Sequence, residues 1–251
     1  MIENTILKRN RQGRKARVFS LTFPSRELVE LAGRAGFDAV HLDGEHGTFT
    51  TESVDLMVAI ANGRGMSVTG RVPSIDAHLI NQWLDRGVQG ITGPHVETGE
   101  EAQQLADACL LPPDGKRSWG TWRGTEFNNP RLVEAAGGML AFSKWSNANM
   151  IVAAQIESKK GYDNLDAILA VSGLRVIAGG HNDLAASLGY PGNPDHPDRV
   201  RMHDEIFERA RAAGKLLAGD LQVGFRIEDV LLDAGHEFLE RHAETAYTGR
   251  A

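Results

Sequence analysis

The 251 residues are 41% hydrophobic and 24% charged, enough apolar material for a sizeable core and no compositional sign of disorder. Lys and Arg total 27 against 33 Asp and Glu, and the net charge of −6 argues against a nucleic-acid surface and against acidic membranes as partners. Cys109 is the only cysteine, which excludes an intramolecular disulfide; no run reaches the ~18 apolar residues of a membrane span, and the basic N-terminal stretch MIENTILKRNRQGRK has no apolar segment after it. A cytoplasmic location is the expectation.

In chain order, residues 1–15 are polar and basic and read as a short helix or arm packed against the bottom of the fold. Ala16 to Thr22 is the first strand, after which Pro24-Ser25 opens an amphipathic helix that stops near Gly36. Ala39 to Leu42 is the second, leading into a tight loop, Asp43-Gly44-Glu45-His46-Gly47, ahead of a helix from about Thr51 to Arg64. Ser67 to Arg71 is the third, and Pro73 beyond it prevents the ladder from continuing. A helix over Asp76 to Arg86 precedes a fourth strand, Gly90 to Thr92, which runs into Gly93-Pro94-His95; Thr98-Gly99-Glu100-Glu101 then starts a helix ending near Cys109. Residues 111–130, LPPDGKRSWGTWRGTEFNNP, break the rhythm and read as a long lid or binding loop. Its two tryptophans, Trp119 and Trp122, suggest a homo-oligomer contact.

The most informative stretch is Ile151 to Gly189. Ile151 to Ile156 is a nearly continuous apolar run of strand length, as expected of a strand buried on both faces, and it ends in Glu157. Tyr162 to Val171 has helical apolar spacing closed by Ser172-Gly173, and Leu174 to Ala178 is a second apolar run followed by Gly179-Gly180-His181-Asn182-Asp183. A strand, helix, strand unit of this length makes parallel strands through a right-handed crossover, so Glu157 and Asp183 emerge at the same C-terminal edge. Two carboxylates there repel unless a cation lies between them, which suits a hard divalent ion. Asp183 could equally cap a helix beginning at Leu184.

Further on come a helix from about Asp198 to Ala213, a seventh strand at Lys215 to Ala218, a helix at Ile227 to Ala234, a weak eighth strand at His236 to Leu239 and a polar tail over 240–251. Eight strands alternating with helices define an α/β fold, a (β/α)8 TIM barrel formed as one domain over 1–251 with an atypical, short last repeat.

Four ordered stretches, AGFDAVHLDGEHG, LDRGVQGITGPHVETGEEA with the nearby PPDGKRSWG, VAAQIESKKGYDNLDAI and GGHNDLAASLGYPGNPDHPD, resemble the HpcH/HpaI aldolase/citrate lyase family over roughly residues 35–200. Its members are metal-dependent 4-hydroxy-2-oxo-acid aldolases on a phosphoenolpyruvate/pyruvate-type barrel. The resemblance implies metal ligation by Glu157 and Asp183, with Mg²⁺, Mn²⁺ or Co²⁺ as the ion. It further implies a catalytic His46 oriented by Asp43 or Asp85, an enolate-stabilising Arg71, and substrate contacts from Gln155 and Asn182. The implied partners are a pyruvate-like 2-oxo acid and an aldehyde. Lys144, Lys159 and Lys160 have no obvious desolvated position for Schiff-base chemistry. An acyl-CoA lyase of citrate or malyl thioester type is the runner-up, with Lys116, Arg117 and Arg123 as a basic entrance; a non-catalytic barrel that binds a 2-oxo acid is the third. The chain departs from the family at His181, where a proline is usual, at Asp220 after the seventh strand, and in its eroded last repeat.

Overall fold

The computed structural model describes residues 2–245 and 249. Eight strands, β1 (Ala16–Leu21), β2 (Ala39–Asp43), β3 (Ser67–Arg71), β4 (Gly90–Gly93), β5 (Ile151–Ile156), β6 (Val176–Gly179), β7 (Leu216–Leu217) and β8 (Gln222–Arg226), make one parallel sheet in the order β7-β6-β5-β4-β3-β2-β1-β8. This is the strand order of an α/β barrel.

The helices are α1 (Thr5–Arg11), α2 (Arg26–Ala35), α3 (Thr51–Gly63), α4 (Ala77–Asp85), α5 (Gly99–Cys109), α6 (Pro130–Ala135), α7 (Met139–Ala148), α8 (Lys159–Asp163), α9 (Leu165–Leu169), α10 (His181–Ser187), α11 (Pro197–Ala212), α12 (Ala218–Leu221) and α13 (Ile227–Arg241). Local chemistry explains several boundaries. Thr98 and Glu101 form a reciprocal capping box at the start of α5. The single helix expected over Tyr162 to Val171 is divided in two at Asn164, whose amide donates to the Lys160 and Glu97 carbonyls. No helix among the described residues is long and apolar enough to cross a membrane.

Strand periodicity decides which residues reach the site. Successive strand side chains point to opposite faces. Val40, Leu42, Val68, Ile91, Val152, Ala154, Ile156 and Ile177 therefore share the outward phase and pack with the helices in the main core. Ala39, Ile151, Ala153 and Val176, one residue out of phase, form a smaller inner cluster with Ile6 of α1 and Leu221 of α12. Continuing that inner phase toward the strand ends gives His41 and Asp43 on β2, Thr69 and Arg71 on β3, and Gln155 then Glu157 on β5. The apolar base and the polar site are thus successive layers of one interior.

The N-terminal arm closes the base. Asn4, fully buried, caps α1 through its side-chain oxygen, which accepts from the Ile6 and Leu7 amides, while its Nδ2 donates to the Gln89 and Asn149 carbonyls. A cap of this kind contributes about 1 kcal/mol, and here it also satisfies carbonyls at the starts of two strands.

The C-terminal repeat corrects the sequence reading. His236 to Leu239 is not a strand: it lies inside α13, and β8 is Gln222–Arg226, paired with β1 over five residues. The reason is a short connection. Only the four residues of α12 separate β7 from β8, whereas adjacent parallel strands need a crossover of about a dozen residues or more. β7 and β8 therefore stand at opposite ends of the strand order and are not hydrogen-bonded to each other. Beyond α13, residues 246–248 and 250–251 of the expected tail lie outside the described residues.

Candidate metal and substrate site

The inward-facing side chains at the C-terminal strand ends meet around a cavity of about 550 Å³, lined by Asp43, His46, Arg71, Gln155, His181, Asn182 and Asp183, with Ser20, Thr22 and Arg226 on the far wall. Arg71 is its electrostatic centre. Asp43 and Arg71 are register partners on β2 and β3, and the guanidinium grips Asp43 with both arms, Nε to Oδ1 at 3.0 Å and Nη2 to Oδ2 at 2.6 Å. Its third nitrogen, Nη1, lies 2.8 Å from Glu45 Oε2 and donates to Gln155 Oε1 at 3.4 Å. Burial alone would raise the Asp43 pKa, but the hydrogen bonds and charge of Arg71 outweigh it and hold the carboxyl below its usual range. Arg71 remains cationic: burial works against its charge, and Asp43, Glu45 and Glu157 more than compensate.

Glu157 is one hydrogen bond behind Gln155, whose Nε2 donates to Glu157 Oε2 at 2.6 Å. Only 2% exposed, Glu157 has its pKa raised, first by burial and then by the charges of Asp183 and Glu45, against the opposing backbone bond and charge of His95. Gly180 makes room for it, since a β-carbon there would overlap Glu157 Oε2 and stand 2.8 Å from Gln155 Nε2. A buried carboxylate destabilised by two neighbouring acids has the donor chemistry of a divalent-cation ligand. The residues present therefore fit such an ion.

Asp183 lies in the first turn of α10, which begins at His181, earlier than the Leu184 start expected from sequence; its side chain makes no capping bond. It lines the cavity and is near enough for its charge to act on Glu157. His46 is at the mouth, its side chain 64% exposed, its amide bonded to Asp43 Oδ1 at 3.4 Å and its Nε2 3.8 Å from Glu45 Oε2. Asn182 lines the same wall.

Asp85 is not brought to the cavity. It ends α4, where the chain turns to start β4 and so faces the base of the barrel, covered by Gly120. Burial raises its pKa in spite of Arg117 and Arg86. Asp220 is likewise elsewhere, accepting from the Leu217 amide and Arg211. His181 does reach the cavity wall, where its Nε2 meets His203 Nε2 at 3.2 Å.

Three residues of the site were not singled out by sequence reasoning. His41, on the inner phase of β2, bonds Thr69 through Nδ1 at 2.9 Å, and burial pushes its pKa down to about 4, so it is a neutral wall residue. Glu45 and His95 matter more. The His95 amide donates to Glu157 Oε1 at 2.8 Å, its Nδ1 is 3.2 Å from the same oxygen, and its Nε2 is 3.1 Å from Glu45 Oε1. A φ of 50°, uncommon for a residue with a β-carbon, turns both its amide and its ring onto one carboxylate. The legible signal was the position of Gly93-Pro94-His95, immediately after a strand, at the same edge as Glu157.

The basic entrance imagined for a thioester substrate is absent at the three residues proposed for it. Arg117 is 3% exposed and donates to the Leu84 and Gly124 carbonyls, Arg123 is held by Asp55 and the Arg86 carbonyl, and Lys116 pairs with Asp107. Lys159 and Lys160 pair with Asp163 and Glu97, and no lysine lines the cavity among the described residues. The tryptophans of the long loop have partners within the chain: Trp119 bonds Asn128 and packs edge-on against Phe142, and Trp122 bonds Asp55 beneath Arg86. Trp122 nevertheless stays 42% exposed.

A family model for HpcH/HpaI aldolase/citrate lyase matches residues 18–245, nearly the whole chain. The chain belongs to this family. Among its curated relatives, a hydroxypyruvate/pyruvate aldolase of Roseobacter denitrificans is 37% identical over 212 residues, covering 84% of this chain and 79% of that protein. A 4-hydroxy-2-oxovalerate aldolase of Rhodococcus jostii is 35% identical, with the same shares covered. In solved structures, an HpcH/HpaI aldolase of Desulfitobacterium hafniense superposes with a TM-score of 0.82 at 22% identity, covering 97% of this chain and 99% of that one, and so bears on the fold. The match extends to residue 245, so the shortened β7 to β8 connection is a variation within the HpcH/HpaI family fold.

Proposed function

We propose that this HpcH/HpaI family member is a divalent-metal-dependent aldolase that forms or cleaves 4-hydroxy-2-oxo acids by way of a pyruvate-type enolate and an aldehyde. The observation that carries the reading is Arg71, fixed on three sides by Asp43, Glu45 and Gln155, with Gln155 linking it to the buried carboxylate of Glu157. The aldolase names of the relatives support it.

Glu157 and Asp183 would hold the ion, Mg²⁺, Mn²⁺ or Co²⁺. When bound, it supplies Lewis-acid polarisation of the 2-oxo acid's carbonyl. Arg71 contributes a guanidinium that needs no reorganisation as charge develops on the enolate oxygen, because its other contacts already fix its plane. His46, exposed at the mouth, moves the proton between the hydroxyl of the 4-hydroxy acid and solvent, and the Asp43 bond to its backbone amide holds its loop. Gln155 keeps Glu157 and Arg71 in register by bonding both, and Asn182 offers an amide on the opposite wall. No residue need form a covalent intermediate, in keeping with a cavity without lysine.

Cleavage of 4-hydroxy-2-oxovalerate to pyruvate should vanish after exhaustive treatment with EDTA and return on adding Mn²⁺, Co²⁺ or Mg²⁺. Full activity in the chelated protein would rule out the metal-dependent reading.

A further inference from the structure

We propose that His95 is a nitrogen ligand of the divalent ion, oriented by Glu45, so that this chain holds the ion with a mixed nitrogen and oxygen set instead of carboxylates alone. The proposal rests on the metal-dependent reading above and extends it to a residue that reading does not use. The observation behind it is a convergence: one ligand atom each from Glu45, His95 and Glu157 lies within 4.8 Å of the others. Donors about 2.1 Å from a shared ion stand roughly 3 Å apart in an octahedral shell. The His95 Nδ1 to Glu157 Oε1 separation is 3.2 Å and that from Nε2 to Glu45 Oε1 is 3.1 Å.

An imidazole ligates through one nitrogen, and the other must then donate to an acceptor that fixes the ring's orientation and tautomer. Both arrangements are provided for, because each ring nitrogen faces a carboxylate. Glu157, buried and already bonded through both oxygens, is fixed in place by the His95 amide and Gln155. Glu45 is braced by Arg71. The ring itself is 56% exposed, so it can turn onto an incoming ion without displacing core residues.

A nitrogen donor changes ion preference. Carboxylate and water sets suit Mg²⁺, whereas imidazole favours later first-row ions such as Co²⁺ and Zn²⁺. His95→Ala should therefore weaken Co²⁺ binding by calorimetry about tenfold or more, with a smaller change for Mg²⁺. Glu45→Gln should show the same preference change to a lesser degree.

Pulsed electron paramagnetic resonance of the Mn²⁺-loaded protein tests the ligand directly. Wild-type protein should show the coupling of a directly bound imidazole ¹⁴N, and His95→Ala, loaded with Mn²⁺ at higher concentration, should lack it. Bound Mn²⁺ without nitrogen coupling in wild-type protein, or a coupling that persists in His95→Ala, would overturn the assignment while leaving the metal site at Glu157 intact. Wild-type protein that takes up no Mn²⁺ would remove both the assignment and the reading beneath it. The wild-type spectrum decides the matter even if the variant does not fold.

Discussion

Arg71→Ala should slow enolisation of pyruvate by about 10³-fold while leaving affinity for the divalent ion nearly unchanged. The size follows from where the charge goes. In the resting site the guanidinium, which lines the cavity, is neutralised by Asp43 and Glu45, at 2.6 Å and 2.8 Å, and the least tightly held nitrogen is Nη1, shared between Glu45 and a long 3.4 Å bond to Gln155. That nitrogen acts on negative charge that exists only as the enolate forms, so its loss appears in turnover rather than in substrate binding. Arg71→Lys should recover little, since an ammonium can meet one carboxylate but cannot span Asp43 and Glu45 and still face the cavity. Calorimetry with Mn²⁺ separates this effect from damage to the ion site. A proportionate loss of metal affinity in Arg71→Ala would mean that the arginine only props up the acids around it.

Gly180→Ala should have the opposite signature, losing ion affinity by about 10- to 100-fold and activity with it, although the backbone at 180 (φ −130°) accepts alanine without strain. The added β-carbon would overlap Glu157 Oε2 and come within 2.8 Å of Gln155 Nε2. Glu157 cannot yield cheaply. Its Oε1 is bonded by the His95 amide and its Oε2 by Gln155, and displacement would leave buried polar groups unpaired. Thermal melting should fall by only a few degrees, since unpairing one or two buried groups costs about 1–3 kcal/mol and the overlap is confined to the site. Unaltered calorimetric affinity in a folded Gly180→Ala protein would show that Glu157 is not held where the ion binds.

Most of this site was legible because it follows strand alternation. Once Ala39 to Leu42 and Ser67 to Arg71 are strands, Asp43 and Arg71 must emerge at one edge on one phase, and Gln155 and Glu157 follow from Ile151 to Ile156 by the same rule. Two kinds of information were hidden. Glu45 and His95 sit in loops, where side-chain direction depends on backbone angles that no periodicity encodes; the φ of 50° at His95 is the clearest case. The second was the last repeat. Its eighth strand, Gln222–Arg226, follows β7 after four residues, too few for the helix that the repeat pattern demands, and the next apolar stretch of strand length, His236 to Leu239, belongs to α13. Asp85, which the resemblance pairs with His46, lies outside the cavity lining of this chain, at the end of α4 beside the 117–124 loop.

Formation of an enolate from a 2-oxo acid is tested, without knowledge of the aldehyde, by exchange of the pyruvate methyl protons in D₂O, followed by NMR with diamagnetic Mg²⁺ present. Enolisation needs the ion, Arg71 and a base, but no acceptor. Wild-type protein should exchange pyruvate and leave acetyl-CoA unexchanged, and EDTA should stop the exchange. Exchange of the thioester in place of pyruvate would identify a lyase of the citrate or malyl type, and metal-loaded protein that exchanged neither would contradict catalysis at this site.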